Sequence, residues 1–308
     1  MPKPSHIPVL LEECRCLLSP RPGETVVDCT AGRGGHAEAM AEAIGPDGTL
    51  VLIDLDAANL QTARERIEAL PGPHPTVHAV HGSFGLVHRH LEDLELRADA
   101  VLADLGFASS QMDDPDRGMS FQQDGPLDMR FDTSRGQTAA QLLKMTSEEE
   151  LAELIREFGE EPLANRIAQK VVRARDEQPI ELTGQLTQIV REAYGRRAAT
   201  ARMDPATRTF MALRIAVNDE LVALDALLAA INHGAEATAS SGWLNSGARI
   251  GIISFHSLED RPVKKAFADL ARRTLVTLLT KGPVRASAQE ERANRRSRSA
   301  KLRALQLA

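Results

Sequence analysis

The chain has 308 residues, 43% hydrophobic and 26% charged, which is enough for one large or two modest domains with buried cores. No apolar run approaches the roughly 20 residues of a membrane span, and Glu12 and Glu13 follow the short apolar start too closely for a signal peptide. A cytoplasmic location is therefore expected. The net charge of −6 excludes a generally basic nucleic-acid coat, yet Lys281 to Ala308 carry eight basic residues against two acids, which fits either a handle for RNA or DNA or a solvated tail.

In chain order, Thr25–Cys29 reads as a strand, Gly35–Ala43 as a helix opening inside a glycine loop, and Gly45-Pro46-Asp47-Gly48 as a turn. Thr49–Asp54 is a second strand. Leu60, Ala63, Ile67 and Leu70 then recur at helical spacing over Ala57–Leu70, with Asp56 as N-cap. Thr76–Val80 and Ala100–Asp104 read as a third and a fourth strand. Strands alternating with helices imply a parallel sheet covered on both faces, binding its ligand beyond the carboxyl ends of the strands. Three of these strands end in acids: Asp28, Asp54 and Asp104. The next strand, Ala248–Ser254, follows Gly106 by about 140 residues, far more than one crossover needs. The excess predicts an inserted helical domain. Thr146-Ser147-Glu148-Glu149 has capping-box form, and one-face spacing marks helices through Leu151–Phe158, Ile167–Val172 and Leu186–Val190. A long helix is expected over Thr207–Ile231, and Ala235–Gly247 as a small-residue loop. The boundaries drawn are 1–112 and 213–308 for the sheet domain and 113–212 for the insert.

The stretch Asp28-Cys29-Thr30-Ala31-Gly32-Arg33-Gly34-Gly35-His36 holds the sharpest signal. From Gly32 it fits the dinucleotide fingerprint, with Asp54 22 residues on, so an NAD-linked oxidoreductase competes. Asp28 discriminates: a pyrophosphate seated there would meet a like charge, whereas a cationic ligand would gain. S-adenosylmethionine carries an ammonium, a sulfonium and a ribose diol but no phosphate. Asp28 would take the ammonium, Asp54 the ribose hydroxyls, and Gly32, Gly34 and Gly35 would let the backbone approach closely. Cys14, Cys16 and Cys29 form no C-x-x-C pair and read as reduced thiols. His74, His78, His81, His88 and His90 have no acid or cysteine cluster among them and read as polar surface, so no metal site is expected.

The glycine loop, Asp104-Leu105-Gly106, Gln111-Met112-Asp113, Arg117-Gly118-Met119-Ser120-Phe121, Asp124-Gly125-Pro126-Leu127-Asp128-Met129-Arg130, Ala206-Thr207-Arg208-Thr209-Phe210 and Ile253-Ser254-Phe255-His256-Ser257-Leu258-Glu259-Asp260 occur in that order. Together they resemble the bacterial RsmH (MraW) family, from His6 to Arg303. The resemblance implies a class I S-adenosylmethionine methyltransferase, an α/β Rossmann-like fold with an inserted all-helical domain. It implies methylation of the N4 amine of one cytosine in 16S rRNA, at the decoding centre of the small ribosomal subunit. It also implies that Gly34, Gly35, His36, Asp54, Phe84, Asp104 and Gln111 line the cofactor. The family usually shows Ser-Ser-Pro-Gln one residue after Asp-Leu-Gly. Here Phe107-Ala108-Ser109-Ser110-Gln111 stands instead, without the first Ser and the Pro, and Gln111 keeps its spacing.

Asp104, or the Leu105 carbonyl, is expected to accept from the cytosine amine while Phe107 stacks on the flipped base. Asp128 and Arg130 form either an ion pair or an RNA-facing pair. Arg208 and His256 are candidate substrate contacts, and Arg166, Arg173, Arg175, Arg196, Arg197 and Arg208 suit a phosphate-contacting surface. The expected partner is 16S rRNA within the small subunit, with no membrane. A homodimer is left open. A non-catalytic RNA-binding module is the third function class.

Overall fold

A computed structural model of the chain describes residues 8–201, 203–237 and 242–308, with Ser109 by its backbone alone. His6, where the family likeness begins, and positions 238–241 of the small-residue loop lie outside them. Two compact units emerge, residues 1–106 with 221–308, and residues 107–220. These limits fall at Gly106 and Glu220 rather than at 112 and 212.

The first unit runs α1 (Leu11–Leu18), β1 (Thr25–Asp28), α2 (Gly35–Ile44), β2 (Thr49–Asp54), α3 (Ala57–Glu68), β3 (Thr76–His81), α4 (Val87–Asp93) and β4 (Ala98–Asp104). The second holds α5 (Ser109–Asp113), α6 (Ala139–Met145), α7 (Glu148–Gly159), α8 (Ala164–Glu177), α9 (Thr183–Tyr194) and α10 (Ala206–Val217). The first unit then resumes with α11 (Glu220–Glu236), β5 (Leu244–Ser254), α12 (Ser257–Arg272), β6 (Val276–Leu278), α13 (Ala288–Ala293) and β7 (Lys301–Leu307).

The sheet order is β3-β2-β1-β4-β5-β7-β6, parallel from β3 to β5, with β7 antiparallel to both its neighbours. Period-2 alternation within apolar strands supplies two buried faces. Val26, Leu50, Leu52, Ala100 and Leu102 pack under α1, α2 and α3 through Leu18, Met40, Ile44 and Ile67. Val27, Val51, Ile53, Val101 and Ala103 pack against α4, α11 and α12 through Leu91, Leu227 and Phe267. Both layers are needed because every central strand is apolar on both sides. Asp56 caps α3 as expected, its side chain accepting from the amides of Ala58 and Asn59.

Several expectations are corrected. The capping box of α7 is Ser147 with Glu150: the Ser147 hydroxyl accepts from the Glu150 amide at 3.2 Å and the Glu150 carboxylate from the Ser147 amide at 3.1 Å. Thr146 instead donates its hydroxyl to the Leu142 carbonyl and closes α6. The single long helix over Thr207–Ile231 is two helices. The Asn218 side chain donates to the carbonyls of Met129 at 2.7 Å and Arg214 at 2.9 Å and accepts from the Phe131 amide at 2.7 Å. Asp219 then adopts φ 50°, and α10 ends there. Nor is the basic terminal segment a tail. It folds as α13, a 3₁₀ turn and the inner strand β7, with Lys301 and Arg303 both turned onto Asp260.

The insert has its own core, in which Leu151, Ile155, Ile167, Val171, Leu186, Val190, Phe210 and Leu213 meet. α7 and α10 come so close at Gly159 that a Cβ there would lie 2.8 Å from the Arg208 carbonyl oxygen.

Candidate functional site

The register sets β2, β1 and β4 side by side, so Asp54, Asp28 and Asp104 end three adjacent strands at the carboxyl edge of the sheet. The loop after β1 continues the ladder before it turns: the Cys29 amide donates to the Leu102 carbonyl and the Ala31 amide to the Ile53 carbonyl. Gly32 has φ 50° and Gly34 φ 80°, both left-handed. The reason for glycine here is tighter than an approach to a ligand. A Cβ on Gly34 would stand 3.0 Å from the Ala63 Cα of α3, and one on Gly35 2.6 Å from Pro8 Cγ. The loop is therefore clamped between α3 and the segment leading into α1, which fixes where α2 begins.

Asp28 is almost wholly buried, and its carboxylate accepts from the Thr30 amide at 3.1 Å. Burial pushes it up to about 6, against the pull of His36 and of that amide. Asp54 is also pushed up to about 6 by burial, against two donors: the Asp56 amide on Oδ1 at 2.8 Å and the Gly32 amide on Oδ2 at 2.7 Å. These bonds orient the carboxylate and leave each oxygen a further lone pair. Thr30 was not singled out in the sequence, yet it links two of the acids. Its amide donates to Asp28 and its hydroxyl accepts from the Asp104 amide at 2.7 Å. The Asp-x-Thr turn pattern was the available signal.

His36, the second residue of α2, is 6% exposed, and among the described residues neither ring nitrogen has a hydrogen bond. Its Nε2 lies 3.5 Å from Asp104 Oδ2. Burial alone would lower its pKa, but the acids Asp104 and Asp28 outweigh burial and raise it. Asp104 Oδ1 is buried without a hydrogen-bond partner. Phe84, at the head of a 3₁₀ turn, packs partly buried against the core beneath α4.

Gln111 and Phe107 lie in the second unit. Gln111 is buried and its Oε1 accepts from the Ala108 amide at 2.9 Å, holding the first turn of α5. The Arg214 guanidinium covers one face of the Phe107 ring, 4.6 Å from its centroid, and pairs in turn with Glu220 at 2.7 Å. A base stacking on Phe107 would therefore need the opposite face. Asp128 and Arg130 pair with each other, both side chains partly exposed. The guanidinium fork meets both carboxylate oxygens at 2.8 Å, outweighs burial and holds Asp128 below the usual carboxylate range. His256 is the N-cap residue of α12, and its Nε2 lies 3.2 Å from Glu259 Oε1. Arg175 leaves the proposed phosphate-contacting group, because its guanidinium donates to the carbonyls of Leu143 and Thr146 at the end of α6. Arg166, Arg173, Arg196 and Arg197 are exposed, and Arg208 on α10 is partly so. Cys14 and Cys29 are buried and Cys16 is exposed, and burial raises the Cys29 thiol far above the range of a nucleophile. No group of three or more His, Cys, Asp or Glu suited to a metal ion occurs among the described residues.

The pattern of the MraW methylase family matches residues 3–308. The chain belongs to the MraW methylase family. Similar curated proteins include the Ribosomal RNA small subunit methyltransferase H of Symbiobacterium thermophilum, 44% identical over 97% of this chain and 96% of that protein. The protein of the same name in Pelobacter propionicus is 44% identical over 98% of each. Among solved structures, a putative rRNA-methylase from Clostridium thermocellum covers 99% of this chain and all of its own, at 11% identity and a TM-score of 0.44. Membership takes the methylase side of the glycine-loop question over the oxidoreductase, and S-adenosylmethionine is the cofactor of these methylases.

The residues present fit that cofactor. Two buried carboxylates held up near 6 by burial would gain from a cationic ligand and lose further beside a pyrophosphate. His36 Nδ1 and Asp104 Oδ1, buried without a hydrogen bond, are polar atoms that such a ligand or its substrate would satisfy.

Proposed function

We propose that the chain methylates the N4 amine of a cytosine in 16S rRNA, in the decoding centre of the small ribosomal subunit. The names of its relatives support the RNA, and the unpartnered Asp104 Oδ1 at the end of β4 supports an amine as acceptor. When bound, S-adenosylmethionine supplies a methyl group on a sulfonium, ready for in-line displacement. Asp28 would hold the ammonium of its amino-acid end, and Asp54 the ribose hydroxyls. The cytosine amine is a poor nucleophile because its lone pair is spread into the ring. Asp104 Oδ1 accepts from one N4 hydrogen, which orients the amine and draws electron density back to nitrogen. His36 holds Asp104 Oδ2 on the other side, so Oδ1 keeps its aim. As nitrogen gains the methyl it gives up a proton, to Asp104 or to water. Phe107 on the base, Gln111 and Phe84 on the cofactor, and Arg208, His256, Asp128 and Arg130 on the RNA are the remaining expected contacts of the same proposal.

The test is transfer of labelled methyl to small subunits from cells lacking this protein, followed by nucleotide mapping. Label in one N4-methylcytosine is the expected result, and label on another base, or none, overturns the proposal. Asp104→Asn should lose at least ~100-fold in kcat at saturating S-adenosylmethionine. Full activity in that variant would remove Asp104 from the chemistry.

A further inference from the structure

We infer that Arg292, Arg295 and Arg298 form a docking surface for the phosphate backbone of the substrate RNA at the carboxyl edge of the sheet. The inference rests on the RNA substrate proposed above and adds where the first unit grips it. The chain carries −6 overall while Lys281 to Ala308 alone carry a large positive excess, so the segment stands out against an acidic background. Five of its eight basic residues fall into two groups. Lys301 and Arg303 face inward and are neutralised by Asp260. Arg292, Arg295 and Arg298 are exposed, and none of them has a hydrogen bond or ion pair among the described residues.

The backbone that carries them is pinned. The Ser287 side chain caps α13, and the Asn294 side chain caps the 3₁₀ turn Arg295–Ser299. The Ser297 hydroxyl donates to the Asn294 carbonyl at 2.8 Å, and Ser297 and Ala300 are buried. In a 3₁₀ turn residues three apart eclipse, so Arg295 and Arg298 leave on the same side. A pinned backbone presents these guanidinium groups with less ordering still to be done on binding. Lys301 pairs with Ser254, the last residue of β5, and Asp104 pairs with Ile253. The arginine turn therefore enters β7 at the sheet edge where Asp28, Asp54 and Asp104 end. From α13, Glu290 accepts the Leu10 amide at 2.8 Å, which fastens the segment to the start of α1. With aromatic residues at only 3% of the chain, base stacking has few platforms, and backbone phosphate is the chemistry this surface fits.

The test measures binding of wild-type protein and of R292Q/R295Q/R298Q to small ribosomal subunits across a potassium chloride series, with S-adenosylmethionine affinity as a folding control. The expected result is unchanged cofactor affinity, at least tenfold weaker subunit binding, and a log Kd against log salt slope shallower by about 2–3. The variant R64Q/R89Q/R272Q removes the same charge from α3, α4 and α12 and should leave the slope alone. An unchanged slope in the first variant, or an equal fall in the second, overturns the inference. A wild type that binds subunits but transfers no methyl would strike the proposed reaction alone, and the slopes would still decide the docking surface.

Discussion

Replacing Asp28 with Asn should change how stability depends on pH. The folded carboxyl titrates near 6 because it is buried, against 3.8 for a free one. Below about pH 3.8 it is protonated folded and unfolded, and it contributes nothing. Between there and 6 the unfolded chain releases the proton while the folded chain keeps it, so wild-type stability falls as pH rises. Above 6 the penalty is complete. Roughly two pH decades at ~1.4 kcal/mol each give about 3 kcal/mol. Asn has no such titration. Whatever constant amount the amide adds or removes, the wild-type minus variant difference must move by about 2.4 kcal/mol between pH 4 and 7.5, in the variant's favour. Urea unfolding of both ligand-free proteins across that range measures it, as a relative midpoint drift of about 1 M. Cofactor titration supplies the matching half: wild-type affinity should rise as pH passes through 6, and Asp28→Asn should be weak and flat. Parallel stability curves would refute the reading of Asp28 as a charge held unpaired for a cationic ligand.

Three further outcomes are expected. Gly34→Ala forces a left-handed φ of 80° on a residue with a Cβ and drives it to 3.0 Å from Ala63 Cα, so it should destabilise by about 2–4 kcal/mol in thermal unfolding. Arg249→Ala strips the partner from Glu24, whose carboxylate its guanidinium meets at 3.0 Å, both side chains being largely buried. About 3–5 kcal/mol should be lost, and Glu24→Gln with Arg249→Met together should recover more than half of it by the same unfolding assay. Asn218→Ala leaves the Phe131 amide and the Met129 carbonyl without their side-chain partner and should lower stability by about 2–3 kcal/mol in urea unfolding.

The sheet was legible because its signal is local. Apolar runs such as Thr49–Asp54 end in an acid, and turn residues bracket them, so four strands and the insert between the fourth and fifth followed from spacing. What failed depends on partners remote in sequence. Nothing near Asn218 says that its amide will be used up by Met129 and Phe131, almost ninety residues away. Lys301–Leu307 reads as a charged terminal segment until β5 and β6 are in place to flank it. The acids at the strand ends were visible, but the reason for Gly34 and Gly35 was not, since Ala63 and Pro8 come near them only in the fold. Arg175 looked available for a phosphate because sequence shows charge without showing which backbone groups have already claimed it.

The pairing of β4 with β5 joins strands about 140 residues apart. During synthesis at ~5–20 residues per second, β4 waits roughly 7–30 s for its neighbour, its outer amides and carbonyls forming an open edge. Over that interval the insert, a continuous stretch with its own core, has time to fold on its own account. Nascent-chain capture by chaperones should therefore peak after β4 has emerged and fall once β5 has docked.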